Sequence, residues 1–191
     1  MKKVSVNEFI EGLNSISQED FSVENIFDYL AETPVDANSL NPYLHFSKKC
    51  YTRNLTYKNE LFEVMALCWE TGQFSRIHNH HEQKCWMSVP VGKLKGQNFR
   101  QLEIDESKGY SKIEASDEFE LHAEQPAKVE MDEPIHQILN LPEYKERAVS
   151  LHVYSKPFDR CLIYSVPKNE VCEVQLFYTS VFGELCDGVT L

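Results

Sequence analysis

GQFSRIHNHHEQKCWMSVPVG, residues 72–92, is the stretch whose reading decides the fold. Its spacing is regular: Gly72, five residues, His78, one residue, His80, four residues, Cys85, six residues, Gly92. On a β-strand residues i and i+2 point to the same face, so His78 and His80 can reach one metal ion together while His81 points away as a bystander. Pro134, Ile135 and His136, then three residues and Asn140, supply a third imidazole further along the chain. Imidazole suits zinc, copper, nickel and iron alike. Three protein ligands leave coordination positions open, which marks a reactive site rather than a structural one.

Working outward, the chain changes character near Cys50. Before it, Ser5 and Glu8 have capping-box spacing ahead of Phe9, Ile10 and Leu13, and Val23, Ile26, Phe27 and Leu30 repeat at helical spacing. Thr33-Pro34 ends the second run, because a residue before proline is pushed out of the helical region. A further helical turn is expected near Asn38–Ser47. After Cys50, strands are expected at Leu61–Trp69, Phe74–His80, Cys85–Val91, Leu94–Ile104, Lys128–Met131, Ile135–Leu139, Ala148–Tyr154 and Val171–Val181, punctuated by turn residues. Many short strands without intervening helices indicate a sandwich or barrel. The acidic stretch Glu103–Glu133 reads as solvated surface. The expected organisation is one domain over 1–191, with a helical segment at 1–47 and the β-barrel at 48–191.

At 191 residues the chain is long enough for one well-buried core. A net charge of −11, from 19 basic and 30 acidic residues, argues against nucleic acid or anionic lipid as partner. No apolar run approaches the ~20 residues of a membrane span. Met1-Lys2-Lys3-Val4-Ser5 lacks the apolar stretch of a signal peptide, so a cytoplasmic monomer is the expectation. The six cysteines, at 50, 68, 85, 161, 172 and 186, form no C-x-x-C pair, as expected for free thiols in a reducing compartment.

The spacing from Gly72 to Gly92 resembles the first motif of the cupin family, and Pro134–Asn140 resembles the second. Cys85 departs from that pattern by standing where the motif usually carries a glutamate ligand. The resemblance narrows to cysteine dioxygenase type I on four segments between Tyr51 and Gly183: Tyr51-Thr52-Arg53-Asn54-Leu55; Ile77-His78-Asn79-His80 with Cys85; Ser150-Leu151-His152-Val153-Tyr154; and Pro157-Phe158-Asp159-Arg160-Cys161. It implies a mainly β cupin, a jelly-roll-like barrel with a small N-terminal helical segment. The activity it implies is oxidation of L-cysteine by O₂ to cysteine sulfinate.

The resemblance also assigns roles. It implies that His78, His80 and His136 hold Fe(II), to which the substrate binds by its thiolate and amine. Arg53 matches the residue that grips the substrate carboxylate, a task suited to a planar guanidinium that stays charged at any working pH. Tyr51 is its supporting hydroxyl, and Cys161 lies near the substrate. Ser150, His152 and Tyr154 alternate on one strand face and match a hydrogen-bonded row that ends at the substrate. Cys85 and Tyr154 match a pair joined by a thioether in animal members. Lys156 replaces a proline whose preceding bond is often cis in the family; a cis bond to a non-proline residue costs ~2.5–4 kcal/mol, which leaves the Ser155–Lys156 geometry open. Two alternatives stand beside this reading: a dioxygenase of another small thiol, such as 3-mercaptopropionate or cysteamine, and a non-catalytic metal-binding cupin. Arg53 discriminates among the enzymes, since those acting on mercaptopropionate resemble this one but usually carry glutamine there.

Overall fold

The computed structural model describes residues 2–81, 83–123, 126–128 and 134–188. Two helices lead, α1 over Val6–Ser15 and α2 over Val23–Glu32, followed by a 3₁₀ turn over Ala37–Tyr43. The capping box forms as the spacing predicts. Ser5 Oγ accepts from the Glu8 N–H at 3.2 Å, and the Glu8 carboxylate accepts from the Ser5 N–H at 2.7 Å. Ser22 caps α2 in the same way through the Asn25 N–H at 3.1 Å.

Thirteen strands follow among the described residues: β1 Thr52–Lys58, β2 Glu63–Trp69, β3 Ile77–His78, β4 Lys84–Val91, β5 Lys93–Asp105, β6 Tyr110–His122, β7 Ala127–Lys128, β8 Ile135–Leu139, β9 Ala148–Ser155, β10 Arg160–Ser165, β11 Glu170–Gln175, β12 Ser180–Val181 and β13 Glu184–Leu185. One sheet runs in the order β13-β12-β1-β2-β9-β4-β7, and the other, β10-β11-β6-β5-β8-β3, closes through the β3–β10 pairing. The architecture is a mainly β cupin with helices at its N-terminal end. Among the described residues no helix is long and apolar enough to cross a membrane.

Strands β2, β4 and β9 are covered on both faces, which explains the unbroken apolar reading of Leu61–Trp69. Their outer face (Val64, Ala66, Cys68, Trp86, Val149, Leu151, Val153) packs on Phe9, Leu13, Ile26 and Leu30 of the helices. Their inner face (Met65, Leu67, Trp69, Cys85, Met87, Tyr154) fills the barrel. Gly92 turns the chain at φ +67°, and a Cβ there would lie 2.5 Å from the Arg147 carbonyl oxygen, so both conformation and space require glycine.

Several expectations need correction. Phe74–His80 narrows to β3, which pairs with β8 and β10 only at Ile77–His78, and an isolated bridge at Phe74. Val171–Val181 breaks into β11 and β12, with Leu176–Thr179 crossing between sheets. Glu103–Glu133 is no mere solvated surface: its first part belongs to the long β5–β6 hairpin, whose exposed face is acidic. The strand expected at Lys128–Met131 overlaps β7 only at Lys128, and the remainder lies outside the described residues.

Trp86 ties helices to barrel: it is fully buried, stands edge-on to Phe21, and donates from Nε1 to the Val23 carbonyl at 2.9 Å. Trp86→Ala is expected to cost about 3–5 kcal/mol, read as a lowered urea midpoint. An unchanged midpoint would contradict this packing.

Candidate active site

Backbone pairing builds the site. His78 on β3 stands directly opposite His136 on β8, and His80 follows two residues beyond His78. One ligand-type atom from each of the three rings lies within 4.8 Å of the others. His78 Nδ1 donates to the Arg76 carbonyl at 2.8 Å, which fixes its tautomer and leaves Nε2 with a free lone pair. Burial pushes His78 down to about 4, and burial with the neighbouring imidazoles holds His80 and His136 well below the usual histidine range. Each neutral ring keeps one unprotonated nitrogen, whose lone pair can bind a metal ion. The Nδ1 atom of His80 is buried and makes no hydrogen bond. This donor set fits a transition metal.

A cavity of about 440 Å³ opens over the cluster, walled by Tyr51, Arg53, His78, His80, Tyr154 and Cys161 among others. Arg53 extends from β1, whose neighbour at this point is Leu67 on β2. Its backbone is clamped from the far side: the Arg53 N–H donates to Thr179 Oγ1 at 3.1 Å, and the Thr179 N–H donates to the Arg53 carbonyl at 2.7 Å. Two guanidinium nitrogens, Nε and Nη2, are buried without a hydrogen-bond partner. Unpaired donors on a buried cation are costly, so this arrangement is prepared for an anion.

Tyr51 lies flat on Trp69, with ring centroids 4.4 Å apart, and burial raises its phenol. The inward row on β9 is connected throughout. Trp69 Nε1 donates to Ser150 Oγ at 2.9 Å, Ser150 meets His152 Nε2 at 2.8 Å, and His152 Nδ1 meets the Tyr154 hydroxyl at 3.1 Å. Indole nitrogen only donates, so Ser150 accepts from Trp69 and its own hydroxyl proton can be donated to His152 Nε2. Nδ1 then carries the ring proton toward the Tyr154 oxygen, and the phenolic proton is free to point into the cavity. Burial keeps His152 neutral by pushing it down to about 3, and raises the Tyr154 phenol well above its ordinary range. Cys85 pairs directly across from Tyr154 between β4 and β9, and burial raises its thiol as well. Cys161 sits buried in the cavity wall with its thiol pushed up to about 11 by burial. The Ser155–Lys156 peptide is cis, and the Lys156 N–H donates to Gln83 Oε1 at 2.6 Å.

Every residue singled out from the sequence is therefore in or beside one pocket. Sequence reasoning missed Trp69 as the start of the hydrogen-bonded row, Arg76 as both wall and partner of His78, and Leu176 as wall. Trp69 gave a signal, an indole at the end of an inward-facing row; Leu176 gave none.

A β-barrel with a neutral three-histidine cluster beside an unpaired guanidinium has a donor set that could hold a metal ion and a pocket suited to a small anionic ligand. More narrowly, the chain belongs to the cysteine dioxygenase type I family, whose model matches residues 2–166. It is 31% identical to the cysteine dioxygenase type 1 of Bos taurus over 86% of this chain and 80% of that one. With that of Homo sapiens it shares 30% identity over the same proportions, and with that of Danio rerio 28% over 96% of this chain and 90% of that one. The match includes the N-terminal helices, which the motif reading had left out, and stops before Gly183, where that reading had ended. Membership supports a dioxygenase-type oxidoreductase with a metal cofactor.

The lowered histidines set an acid sensitivity. Their unfolded values are higher than their folded ones, so between about pH 6.5 and 4 the unfolded chain binds more protons and stability falls as pH falls. The metal-free protein is expected to melt about 5 °C or more lower at pH 5 than at pH 7. A flat melting temperature across that window would mean the rings are not buried and neutral.

Proposed function

We propose that this chain oxidises the thiol of L-cysteine to the sulfinate, adding both atoms of O₂, at an Fe(II) ion held by His78, His80 and His136. The observation that carries the reading is the presence of a buried, unpaired Arg53 guanidinium and the three-histidine cluster on one cavity. That pairing suits a small ligand with a carboxylate at one end and a metal-seeking group at the other.

When bound, iron supplies the redox chemistry that joins O₂ to sulfur, and the reaction balances as thiol plus O₂ giving sulfinic acid with no external reductant. Arg53 anchors the carboxylate, with Tyr51 beside it. His152 holds Tyr154 with its phenolic proton toward the cavity, where it can be lent to an oxygen on the substrate. Met65, Leu67 and Phe158 help keep bulk water out. The Cys85–Tyr154 juxtaposition supports a thioether: the thiol and the ring each lose a hydrogen, the C–S bond forms, and the two electrons pass to O₂. Such a link would fix the phenol rigidly and tune catalysis rather than enable it.

Oxygen uptake by the iron-loaded protein, with products identified by mass, tests the reading. Cysteine should be consumed with formation of sulfinate, and His136→Ala should lose iron or activity; full iron and full turnover in that variant would show the site to be misassigned. Arg53→Ala should lower kcat/KM for cysteine by about 10-fold or more, the size of a lost charge-assisted contact. Cysteamine, which lacks the carboxylate, should be a poor substrate, and its efficient oxidation would favour another thiol as the natural one. After many turnovers, peptides containing Cys85 and Tyr154 should be found joined with the loss of two hydrogens. Separate, unmodified peptides would rule the link out without touching the dioxygenase reading.

A further inference from the structure

Trp69 is fully buried at the end of β2, where it pairs with Ala148, and its indole reaches diagonally across to Ser150. Of the four side chains in the row, Trp69, Ser150, His152 and Tyr154, only Tyr154 lines the cavity among the described residues. The direction in which protons point along the row therefore decides what reaches the cavity.

Two directions satisfy the same distances. In the first, Trp69 donates to Ser150, Ser150 to His152 Nε2, and His152 Nδ1 to the Tyr154 oxygen, which leaves the phenolic proton for the cavity. In the second, Tyr154 donates to His152 Nδ1 and His152 Nε2 donates to Ser150, so the phenolic proton is tied up. The end group decides between them. In the second direction Ser150 Oγ accepts from both the indole and the imidazole, and its own proton faces no acceptor, because Trp69 and His152 are its only partners among the described residues. A buried hydroxyl proton without an acceptor is costly. An end group able to accept would remove that cost, since Ser150 could then turn its proton away from His152 and the row could reverse. Indole cannot accept. In the first direction, accepting from the indole also polarises the serine hydroxyl and strengthens its bond to His152.

The indole has a second contact, its stack on Tyr51 with ring centroids 4.4 Å apart. That contact bears on the end of the pocket where Arg53 lies, whereas the N–H bears on the proton of Tyr154. Ring and N–H therefore separate in their effects. We propose that Trp69 is a positioning residue whose donor-only indole makes the row one-way, keeping the Tyr154 proton available to the substrate. The consequence for the reaction rests on the thiol-oxidising reading of the site; the direction of the row does not.

Two altered forms of the full chain carry the test. Trp69→Phe keeps a ring against Tyr51 and leaves space for a water that can accept from Ser150. Benzothienylalanine at position 69 keeps the shape of both rings and puts sulfur in place of the N–H. Nitrogen-15 NMR of the metal-free protein reads the His152 tautomer, because protonated and bare ring nitrogens resonate far apart. The wild type should show Nδ1–H alone, and both altered forms a mixture with Nε2–H. In oxygen uptake by the iron-loaded protein, kcat for cysteine should fall about 10-fold in both forms, the worth of one net hydrogen bond, with KM little changed. In a Ser150→Ala background the same changes should cost nothing further, since the indole N–H acts only through that hydroxyl. A wild type carrying Nε2–H, an unchanged tautomer in the sulfur form, or an unchanged kcat in both forms overturns the proposal. So does a kcat loss that persists in full beside Ser150→Ala, or a loss in Trp69→Phe that the sulfur form lacks, which would assign the effect to ring bulk. The NMR measurement needs neither metal nor turnover, so an absence of thiol oxidation would sink the reading of the site and leave the direction of the row decided separately.

Discussion

Desolvation of the barrel interior is the constraint on which the site depends. An imidazole, a guanidinium or a phenol placed there must be neutral, paired or awaiting a ligand, since an uncompensated buried charge destabilises the fold. The protein answers differently for each group. The histidines are kept neutral, and the tyrosine and cysteine are kept protonated. Arg53 cannot be neutralised, and two of its donors are left without a partner. The cavity is thus incomplete in two specific places, at the lone pairs of the imidazoles and at the guanidinium. A ligand that completes both at once gains from relieving each.

The strand register delivers this arrangement. Period-two alternation on β9 sends Ser150, His152 and Tyr154 inward and Val149, Leu151 and Val153 toward the helices. A one-residue slip would exchange the two rows, setting three polar side chains against the helices in place of Val149, Leu151 and Val153 and dissolving the site in the same move. The packing of α1 and α2 on the outer face therefore does more than stabilise. By burying the apolar row it holds the polar row in the barrel, so the helices act on the site without touching it.

Much of this was legible in the sequence because it rests on local rules. Histidine spacing, turn glycines and strand alternation are short-range patterns, and they located His78, His80, His136 and the β9 row correctly. The capping box at Ser5 was equally local. What escaped depends on long-range placement. Trp69's place at the end of an inward-facing row marks its nitrogen as needing a partner, but not that the partner is Ser150, eighty-one residues later. Strand β5 was expected at Leu94–Ile104, but its partner β6 escaped because exposed acidic residues mask its alternation. Glu63 was hidden by its surroundings: inside an apolar run it read as a strand residue, and its full burial shows only in the structure.

The pocket draws on the chain beyond residue 166, where the family model ends, within the 96% of the chain that aligns with the Danio rerio relative. Val174 and Leu176 form part of its wall, and Tyr178 holds Glu63. The same crossing segment clamps the Arg53 backbone through Thr179 and docks Ser180 Oγ on Asn54 Oδ1 at 2.9 Å. The residues expected to do chemistry thus come from the matched region, on strands whose register is set by the core. The residues that wall the pocket come partly from this later segment, which is tied to β1 by backbone and side-chain hydrogen bonds and by the pairing of β12.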